Sequence, residues 1–553
     1  MNGKRINVLI LISAVVSSLA LSGCGKRDRS SSENVFCYNE SNGISSLDPA
    51  FARDLEIMWA TNQLFDGLVE LDSNLKVQPC IARKWEISPD GKTYVFHLCD
   101  SVYFHPSPLF SDSTHRKVVA NDFVYSFERI VDPEIASPGQ WIFQWVDTSA
   151  AAFEAPDDST FVVHLRQAFA PFLGMLAMQY CNVVPHEVVD YYGRDFRAHP
   201  VGTGPFRFAF WYENVALVFH RNDNYFQRDT SGQRFPYLDA IKIEFVRDMT
   251  VEFQGLLQGR YDFMSGLHAS FKDELLDYRG ELKQVYQPLL RFQKTPFIKT
   301  DYIGIRLNAI DESGIASPLA SKQVRQALLH LIHREEMIEH LRNNSVFIAN
   351  RGFVPPVLLP GVTKKYYDYD PVRAEALLAE AGYSNHDQLK GLTVYTTSDY
   401  SDLMEFIQHE WERAGIHANV EVMQGSTFRD ATANHRLQMF RKSWLADYPD
   451  PENFLSLFRT ANFCPAGPNY THYSNARYDE LYDELCRTTA TDERLKIAEN
   501  MDSILMEDLP VLPLYYDQVS HFIRREVTGL TTNPVNMIDL KTVKKSGNEG
   551  KYH

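Results

Sequence analysis

The chain has 553 residues, of which 44% are hydrophobic and 23% are charged. It is too long for one ordinary hydrophobic core, and its composition excludes a disordered or fibrous protein. The 71 acidic residues outnumber the 55 lysines and arginines, which gives a formal net charge of −16. Because nucleic-acid-binding proteins normally present a basic face, this balance argues against nucleic acid as a partner.

The first 24 residues have the pattern of an export signal. Lys4 and Arg5 give a positive start, and residues 6–21 form an apolar run that is short for a membrane span. The run ends in Leu21-Ser22-Gly23-Cys24, which resembles the bacterial lipobox, whose cysteine becomes the lipidated first residue. The alternative is a free cysteine in an ordinary signal. We predict a signal peptide over 1–23, lipidation of Cys24 and a flexible polar tether over 24–34.

Six further cysteines remain in the predicted exported chain. An even number in an exported protein permits disulfides. Cys80 and Cys99 flank a predicted hairpin and are therefore the candidate pair. No C-x-x-C pair occurs, which argues against a thiolate zinc cluster, and we expect no metal site and no cofactor.

Three elements are predicted in the first half of the chain. Residues 85–98 predict two strands joined by a turn at Pro89-Asp90-Gly91. Residues 120–130 predict a helix with one apolar face, which Asn121 or Asp122 caps. Residues 238–246 alternate as a strand. The first half is therefore a mixture of strands and helices.

The second half predicts a regular alternation of helices and strands. Residues 324–341 have the spacing of one long amphipathic helix. Helices are predicted at 371–381, which Gly382 terminates, and at 402–414. Strands are predicted at 392–395 and 416–422. This α-β-α-β order over residues 371–445 is typical of an α/β lobe.

Seven short strings, in a fixed order over residues 35–530, carry a family resemblance. The most specific is Trp444-Leu445-Ala446-Asp447-Tyr448; the others lie at 62–69, 82–98, 104–129, 201–206, 324–328 and 377–383. Together they resemble the peptide-binding branch of the family-5 extracellular solute-binding proteins, which are the receptors of ABC importers. The resemblance implies an α/β fold, a two-lobed periplasmic-binding-protein clamshell of type II-like form with an extra inserted domain.

The resemblance also implies where the domains begin and end. Lobe I comprises 35–66, 190–297 and 512–545, the inserted domain is 67–189, and lobe II is 298–511. In such a clamshell the ligand lies in the cleft between the lobes and is enclosed when they close.

The string at 441–448 contains the sharpest candidate site. In peptide receptors the aspartate of this string binds the α-ammonium of the ligand, which implies that role for Asp447. Trp444 then contacts ligand side chains, and the planar guanidinium of Arg441 pairs with a ligand carboxylate. Three alternatives stay open: Asp447 as a loop acid or as the cap of a helix at 451–458, Trp444 as a core residue, and Arg441 as a side chain that reaches solvent.

Other candidate ligand contacts come from the same resemblance. Tyr302 and Gly304 lie in a stretch, 302–308, that aligns with the strand to which a peptide backbone is added. Leu55, with Asp54, aligns with the opposing loop. Arg342 falls where a positive residue meets shorter ligands in some relatives.

Several pocket positions depart from the family pattern. Gly139 and Gly425 stand where the oligopeptide receptors have aromatic residues, which implies a roomier or differently shaped pocket. Lys299 and Leu445 stand where those receptors have a disulfide. Ligand length therefore does not follow from the resemblance.

The resemblance implies a lipid-anchored, monomeric receptor in the bacterial envelope, facing the periplasm or exterior. It captures peptides and delivers them to the permease of an ABC transporter. The alternatives are the same fold with a nickel chelate, haem or an oligosaccharide as ligand, and an envelope sensor that does not transport. No phosphate loop, H-E-x-x-H or G-x-S-x-G motif occurs, so an enzyme is not expected.

Overall fold

A computed structural model describes residues 34–147, 152–266, 269–309, 317–389 and 391–546. Cys24, the signal peptide and nearly all of the tether lie outside these residues. The helices are α1 (Leu55–Leu64), α2 (Ala120–Val131), α3 (Phe172–Met175), α4 (His186–Tyr192), α5 (Met249–Leu257), α6 (Ala269–Leu275), α7 (Lys322–His330), α8 (Arg334–Arg342), α9 (Pro371–Glu380), α10 (Ser401–Arg413), α11 (Gly425–Ala433), α12 (Pro451–Leu455), α13 (Ala476–Arg487) and α14 (Thr491–Asp508).

The strands are β1 (Val35–Asn39), β2 (Val69–Leu71), β3 (Val77–Pro79), β4 (Ala82–Ile87), β5 (Thr93–Leu98), β6 (Phe153–Asp157), β7 (Thr160–His164), β8 (Phe206–Tyr212), β9 (Ala216–Arg221), β10 (Ala240–Glu244), β11 (Phe263–Ser265), β12 (Leu290–Ile305), β13 (Phe347–Ile348), β14 (Leu392–Thr396), β15 (Ala418–Val422), β16 (Met439–Leu445), β17 (Val511–Arg524), β18 (Val527–Thr528), β19 (Thr531–Thr532), β20 (Ile538–Asp539) and β21 (Lys544–Lys545). None of the described helices is long and apolar enough to span a bilayer.

Eleven of the strands form one mixed sheet. Its order is β15-β14-β16-β12-β17-β11-β1-β10-β9-β8, and β13 pairs with β17. Helices and strands alternate from α9 to β16, as the sequence predicts for an α/β lobe. The sheet therefore runs through both halves of an α/β, two-lobed architecture.

The strands β12 and β17 are shared by the two halves of this sheet. Leu290–Pro296 pair with Arg524–Gln518, and Thr300–Gly304 pair with Tyr516–Val511. The register shifts between Pro296 and Thr300. β11 pairs with residues 521–523 near the end of β17, and β13 pairs with Tyr515 and Tyr516 nearer its middle. β12 crosses the predicted lobe boundary at 297/298, whereas β17 begins only one residue before the predicted boundary at 511/512. Both boundaries stay a prediction.

The segment inserted between β1 and β8 has its own sheet, in the order β4-β5-β7-β6. β4 and β5 are antiparallel, as predicted. The disulfide between Cys80 and Cys99 that this hairpin suggested is wrong, because both cysteines are free. The Cys80 sulfur lies 3.8 Å from Asp66 Oδ1, whereas the Cys99 sulfur lies against the Cys80 carbonyl oxygen at 3.7 Å. The two thiols thus contact different groups.

The long helix predicted over 324–341 is two helices, α7 and α8. His333 interrupts it as the N-cap of α8, and its Nδ1 accepts the Glu336 N–H at 3.2 Å. The next residue, Arg334, is buried and donates to the carbonyls of Ala349 at 2.8 Å and Pro513 at 3.1 Å. The prediction failed because these carbonyl acceptors come from distant segments that local periodicity does not show.

The helix predicted over 120–130 is α2, but neither predicted residue caps it. The N-cap is Val119, and Asp122 stands three residues later. The Asp122 carboxylate accepts the Val119 N–H at 2.8 Å and pairs with Arg116 at 2.7 Å. Asp122 therefore stabilises the start of the helix from inside its first turn.

The buried carboxyl of Asp502 on α14 should make stability depend on pH. It accepts the N–H groups of Phe353 at 2.9 Å and Val354 at 3.2 Å. Burial raises its pKa to about 7, against the opposing effect of these two hydrogen bonds. The folded state therefore keeps a proton that the unfolded chain loses near pH 4, so the contribution of Asp502 to stability falls as pH rises from about 4 to about 7.

We expect Asp502→Asn to lose less stability than wild type between pH 4 and pH 8, by up to about 4 kcal/mol. The asparagine keeps an accepting oxygen but carries no charge. Urea unfolding at a series of pH values measures the difference. Parallel pH curves for the two proteins would show that Asp502 does not titrate in this window.

Candidate functional site

The segment that carries Asp447 follows β16 at the point where its pairing with β12 ends, opposite Lys299. The chain then turns into α12, whose N-cap is Asp450, since its carboxylate accepts the Glu452 N–H at 2.9 Å. The same carboxylate forms two hydrogen bonds with Arg494, at 2.8 and 2.9 Å. The alternative in which Asp447 caps this helix is therefore wrong, and the Asp447 carboxylate is not used there.

Asn453, on α12, orients the two central residues of the candidate site. Its side-chain oxygen accepts the Trp444 indole N–H at 2.8 Å and the Asp447 backbone N–H at 3.3 Å. Asn453 is buried, so this oxygen is held in place. No sequence motif singles out Asn453, because its partners are defined only when the turn after β16 folds back onto α12.

The Asp447 side chain is exposed to solvent and forms no ion pair with a described residue. Even so, loss of surrounding solvent raises the pKa of its carboxyl above the ordinary value, and the Asn453 side chain opposes this effect. An exposed carboxylate with no cationic partner among the described residues is free to bind an ammonium group.

Tyr180 shows which other residues lie around Asp447. Its pKa is raised to about 12, first by burial and then by the nearby charges of Asp447 and Asp54, whereas Arg53 lowers it. Tyr180 belongs to the inserted segment, Asp54 is the N-cap of α1, and Asp447 follows β16. The candidate site therefore lies where three separate parts of the chain come close to one another.

The two glycines at aromatic positions do not simply enlarge the pocket. A Cβ at Gly139 would lie 2.5 Å from the ring of Tyr180, so Tyr180 already fills that space. Of the two alternatives, a roomier or a differently shaped pocket, the first is therefore wrong at Gly139, whereas the second stays a prediction. At Gly425 a Cβ would meet the guanidinium of Arg429 at 3.5 Å. An aromatic ring and a cation thus stand beside the two glycines.

Arg441 is buried and lies next to a charge of the protein itself. Its guanidinium forms an ion pair with Asp301 on β12, a residue with no exposed surface. Lys299 lies 3.5 Å from Asp301 and 2.7 Å from Asp517. Burial lowers the pKa of Arg441 to about 10. A ligand carboxylate at Arg441 would have to share the guanidinium with Asp301. That Arg441 pairs with a ligand carboxylate therefore stays a prediction.

Tyr302 and Gly304 lie in β12 with a strand on each side. Both residues pair with β16 and with β17, so this strand has no free edge for a peptide backbone. Gly304 has a packing role instead, because a Cβ there would lie 2.3 Å from the ring of Phe440. Tyr302 is buried against Phe353, with ring centroids 5.1 Å apart. The prediction that they pair with ligand backbone is therefore wrong.

The last two candidate residues lie at helix ends. Leu55 is the first residue of α1 and follows Asp54 directly, so it lies beside the groups around Tyr180. Arg342 ends α8, pairs with Asp402 at 3.3 Å and lies over the ring of Tyr515. Their contacts with a ligand stay predictions.

Three comparisons with known proteins agree with this architecture. Residues 76–463 match the family model described as bacterial extracellular solute-binding proteins, family 5 Middle. The chain is 24% identical to the dipeptide-binding protein DppE of Bacillus subtilis, over 96% of this chain and 97% of that protein. It is 25% identical to heme-binding protein A of Haemophilus influenzae, over 92% and 91% of the two chains.

A solved structure shows the same fold. HbpA2 from Haemophilus parasuis superposes with a TM-score of 0.80 at 22% identity and covers 93% of this chain and 100% of that one. The matched family model spans most of the sequence, and the similarity to the curated relatives extends over nearly the whole of both chains. The chain therefore belongs to family 5 of the bacterial extracellular solute-binding proteins, a family of substrate-binding transport proteins.

Proposed function

We propose that this protein captures short peptides in the cleft beside Asp447 and delivers them to the permease of an ABC transporter, while a lipid on Cys24 anchors it to the membrane. The peptide's α-ammonium pairs with Asp447, and Trp444 contacts its first side chains. The observation that carries this proposal is the Asp447 carboxylate, which has no cationic partner among the described residues. The Asn453 side-chain oxygen accepts the backbone N–H of the same residue and so fixes the chain at this point.

The chemistry of a terminal amine explains why such a carboxylate suits a peptide receptor. Every unblocked peptide has an α-ammonium, so a carboxylate that binds it accepts many sequences. A hydrogen bond to a charged group contributes about 1.5–3 kcal/mol net. Tyr180 and Trp444 add aromatic surface beside the Asp447 carboxylate. This surface can contact ligand side chains without selecting one peptide sequence.

The deciding experiment is mass spectrometry of small molecules that co-purify with the native protein, followed by calorimetry with the compounds found. We expect di- to oligopeptides with free amino termini. Haem is the alternative that a relative's name raises, and it has carboxylates but no amine. Recovery of haem, with no calorimetric binding of any peptide, would replace the peptide proposal.

The lipid anchor has a test of its own. Cys24→Ala removes the thiol that accepts the lipid, so we expect this variant to leave the detergent phase and appear in the aqueous phase on detergent partitioning. Cys99→Ala is the matched control and should partition like wild type. If Cys24→Ala partitions like wild type, Cys24 does not carry the anchor.

A further inference from the structure

Three potential metal ligands meet in lobe II, away from the candidate cleft. They are His435, just after α11, and Cys464 and His472, which lie in the loop between α12 and α13. The two histidine Nε2 atoms are 3.1 Å apart. The Cys464 sulfur lies 3.7 Å from Nε2 of His435 and 3.8 Å from Nε2 of His472. One sulfur and two nitrogens thus form a compact triangle.

This triangle has nearly the size of one face of a tetrahedral zinc site. With Zn–N bonds of about 2.05 Å and a Zn–S bond of about 2.3 Å, tetrahedral angles put two nitrogens about 3.3 Å apart and sulfur about 3.6 Å from each. Thiolate and imidazole are the ligands that borderline and soft transition metals prefer. We propose that His435, Cys464 and His472 bind one transition-metal ion of the zinc class, with a fourth position open to water.

The surroundings of His472 support a ligand role. Phe463 stacks on its ring at a centroid distance of 4.4 Å and an angle of 3°. Its Nδ1 lies 3.1 Å from the side-chain amide of Asn308, and an outer partner on the second nitrogen is typical of metal-binding histidines. His435 and His472 also have left-handed backbones, with φ of 60° and 53°. Such backbones are uncommon outside glycine and concentrate at functional sites.

Metal binding requires two small rearrangements. The histidine rings are nearly perpendicular, with centroids 3.8 Å apart, so they must rotate until both Nε2 lone pairs point at one ion. Nε2 of His472 must also carry no proton, which places that proton on Nδ1. The Asn308 amide then turns to present its oxygen instead of the nitrogen that now faces the ring. These changes are side-chain rotations and one proton shift within the His472 ring, and they need no movement of a helix or strand.

The cluster is separate from the cleft but open to solvent. Arg306 N donates to Gln438 O and Leu307 N to Thr471 O, which places the cluster beside the Met439 end of β16. Asp447 follows the opposite end of this strand, about 20 Å away at about 3.3 Å per residue. Cys464 is buried, whereas the histidines are half-buried, so an ion can enter through them. The ion would tie the 463–472 loop to the end of α11.

The test uses the full chain, purified in detergent, reduced and stripped of metal with a chelator. It is titrated with Co²⁺, which reports its ligands by its absorption spectrum, and then with Zn²⁺. We expect one Co²⁺ per chain, a thiolate-to-cobalt charge-transfer band, visible bands of tetrahedral intensity, and displacement by Zn²⁺. Zn²⁺ should also raise the melting temperature, because it binds the folded state.

Variants identify the ligands. Cys464→Ser should remove the charge-transfer band and lower Co²⁺ affinity at least about tenfold, and His435→Gln should lower the affinity while keeping the band. Cys99→Ser is the matched control, since it removes a half-buried thiol from the inserted segment and should change neither. If Cys464→Ser does not fold, the wild-type spectrum and His435→Gln decide. The proposal would be overturned if folded wild type shows no charge-transfer band. It would also be overturned if either ligand variant binds Co²⁺ as tightly as wild type does.

Discussion

Asp447→Asn should weaken binding of an unblocked peptide by about 150- to 5,000-fold. The substitution keeps the shape of the side chain and removes its charge, so the closed cleft would enclose the ligand's ammonium without a counter-charge. Removal of one partner from such a buried pair costs roughly 3–5 kcal/mol. Isothermal titration calorimetry with one peptide identified from the native protein measures this loss directly.

Two comparisons separate the role of Asp447 from a general effect of charge. Asp483→Asn is the matched control, because Asp483 is an exposed acid on α13 that pairs with Arg459, and it should bind the peptide as wild type does. N-acetylation of the peptide should weaken binding to wild type about as much as Asp447→Asn does, and should add little in that variant. If free and acetylated peptides bind wild type equally, Asp447 does not bind the amine.

Gly352→Ala should lower the free energy of unfolding by at least about 3 kcal/mol. Gly352 has a φ of +144°, and a Cβ there would lie 1.7 Å from Oδ2 of Asp502. Asp502 cannot move away freely, because its carboxylate holds the N–H groups of Phe353 and Val354. The added methyl group therefore strains the backbone and also disturbs two buried hydrogen bonds.

Gly382→Ala separates these two costs. Gly382 follows α9 with a φ of +87°, and a Cβ there would meet no other described part of the chain within 4 Å. Its substitution should cost only the backbone strain, about 1 kcal/mol. Urea unfolding of both variants measures the difference, which reports the steric part at Gly352. If both variants lose the same free energy of unfolding, the Asp502 side chain moves away from the added methyl group without a measurable cost.

The sequence predicts elements well where their cause is local. The hairpin of β4 and β5 follows from its turn residues and alternation, and α9 from the proline that starts it and the glycine that follows it. The break between α7 and α8 could not be predicted in this way. It depends on Arg334 and on carbonyls at Ala349 and Pro513, which approach only in the folded chain.

In the candidate site, too, the residues that a local sequence motif identifies were predictable and those placed by distant contacts were not. Asp447 is predictable because it belongs to a contiguous sequence motif. Tyr180 is not, because it fills the space beside Gly139 although it lies 41 residues further along the chain. Asn453 follows no motif and acts through two hydrogen bonds. The place of Tyr302 could not be predicted either, because resemblance aligns residues but does not show that both edges of β12 are paired. Contacts between distant segments therefore limit sequence-based prediction here.

The pairing of β12 with β17 has a mechanical consequence for ligand capture. Two lobes joined by separate, unpaired linkers can rotate about many axes. On the predicted lobe boundaries, both chain crossings would fall within the one antiparallel ribbon of β12 and β17, whose register shifts between Pro296 and Thr300. A paired ribbon bends and twists more easily at such a break than along its regular length. Opening and closing should therefore follow one narrow path, and a substitution at this break should change the association rates of all ligands by a similar factor.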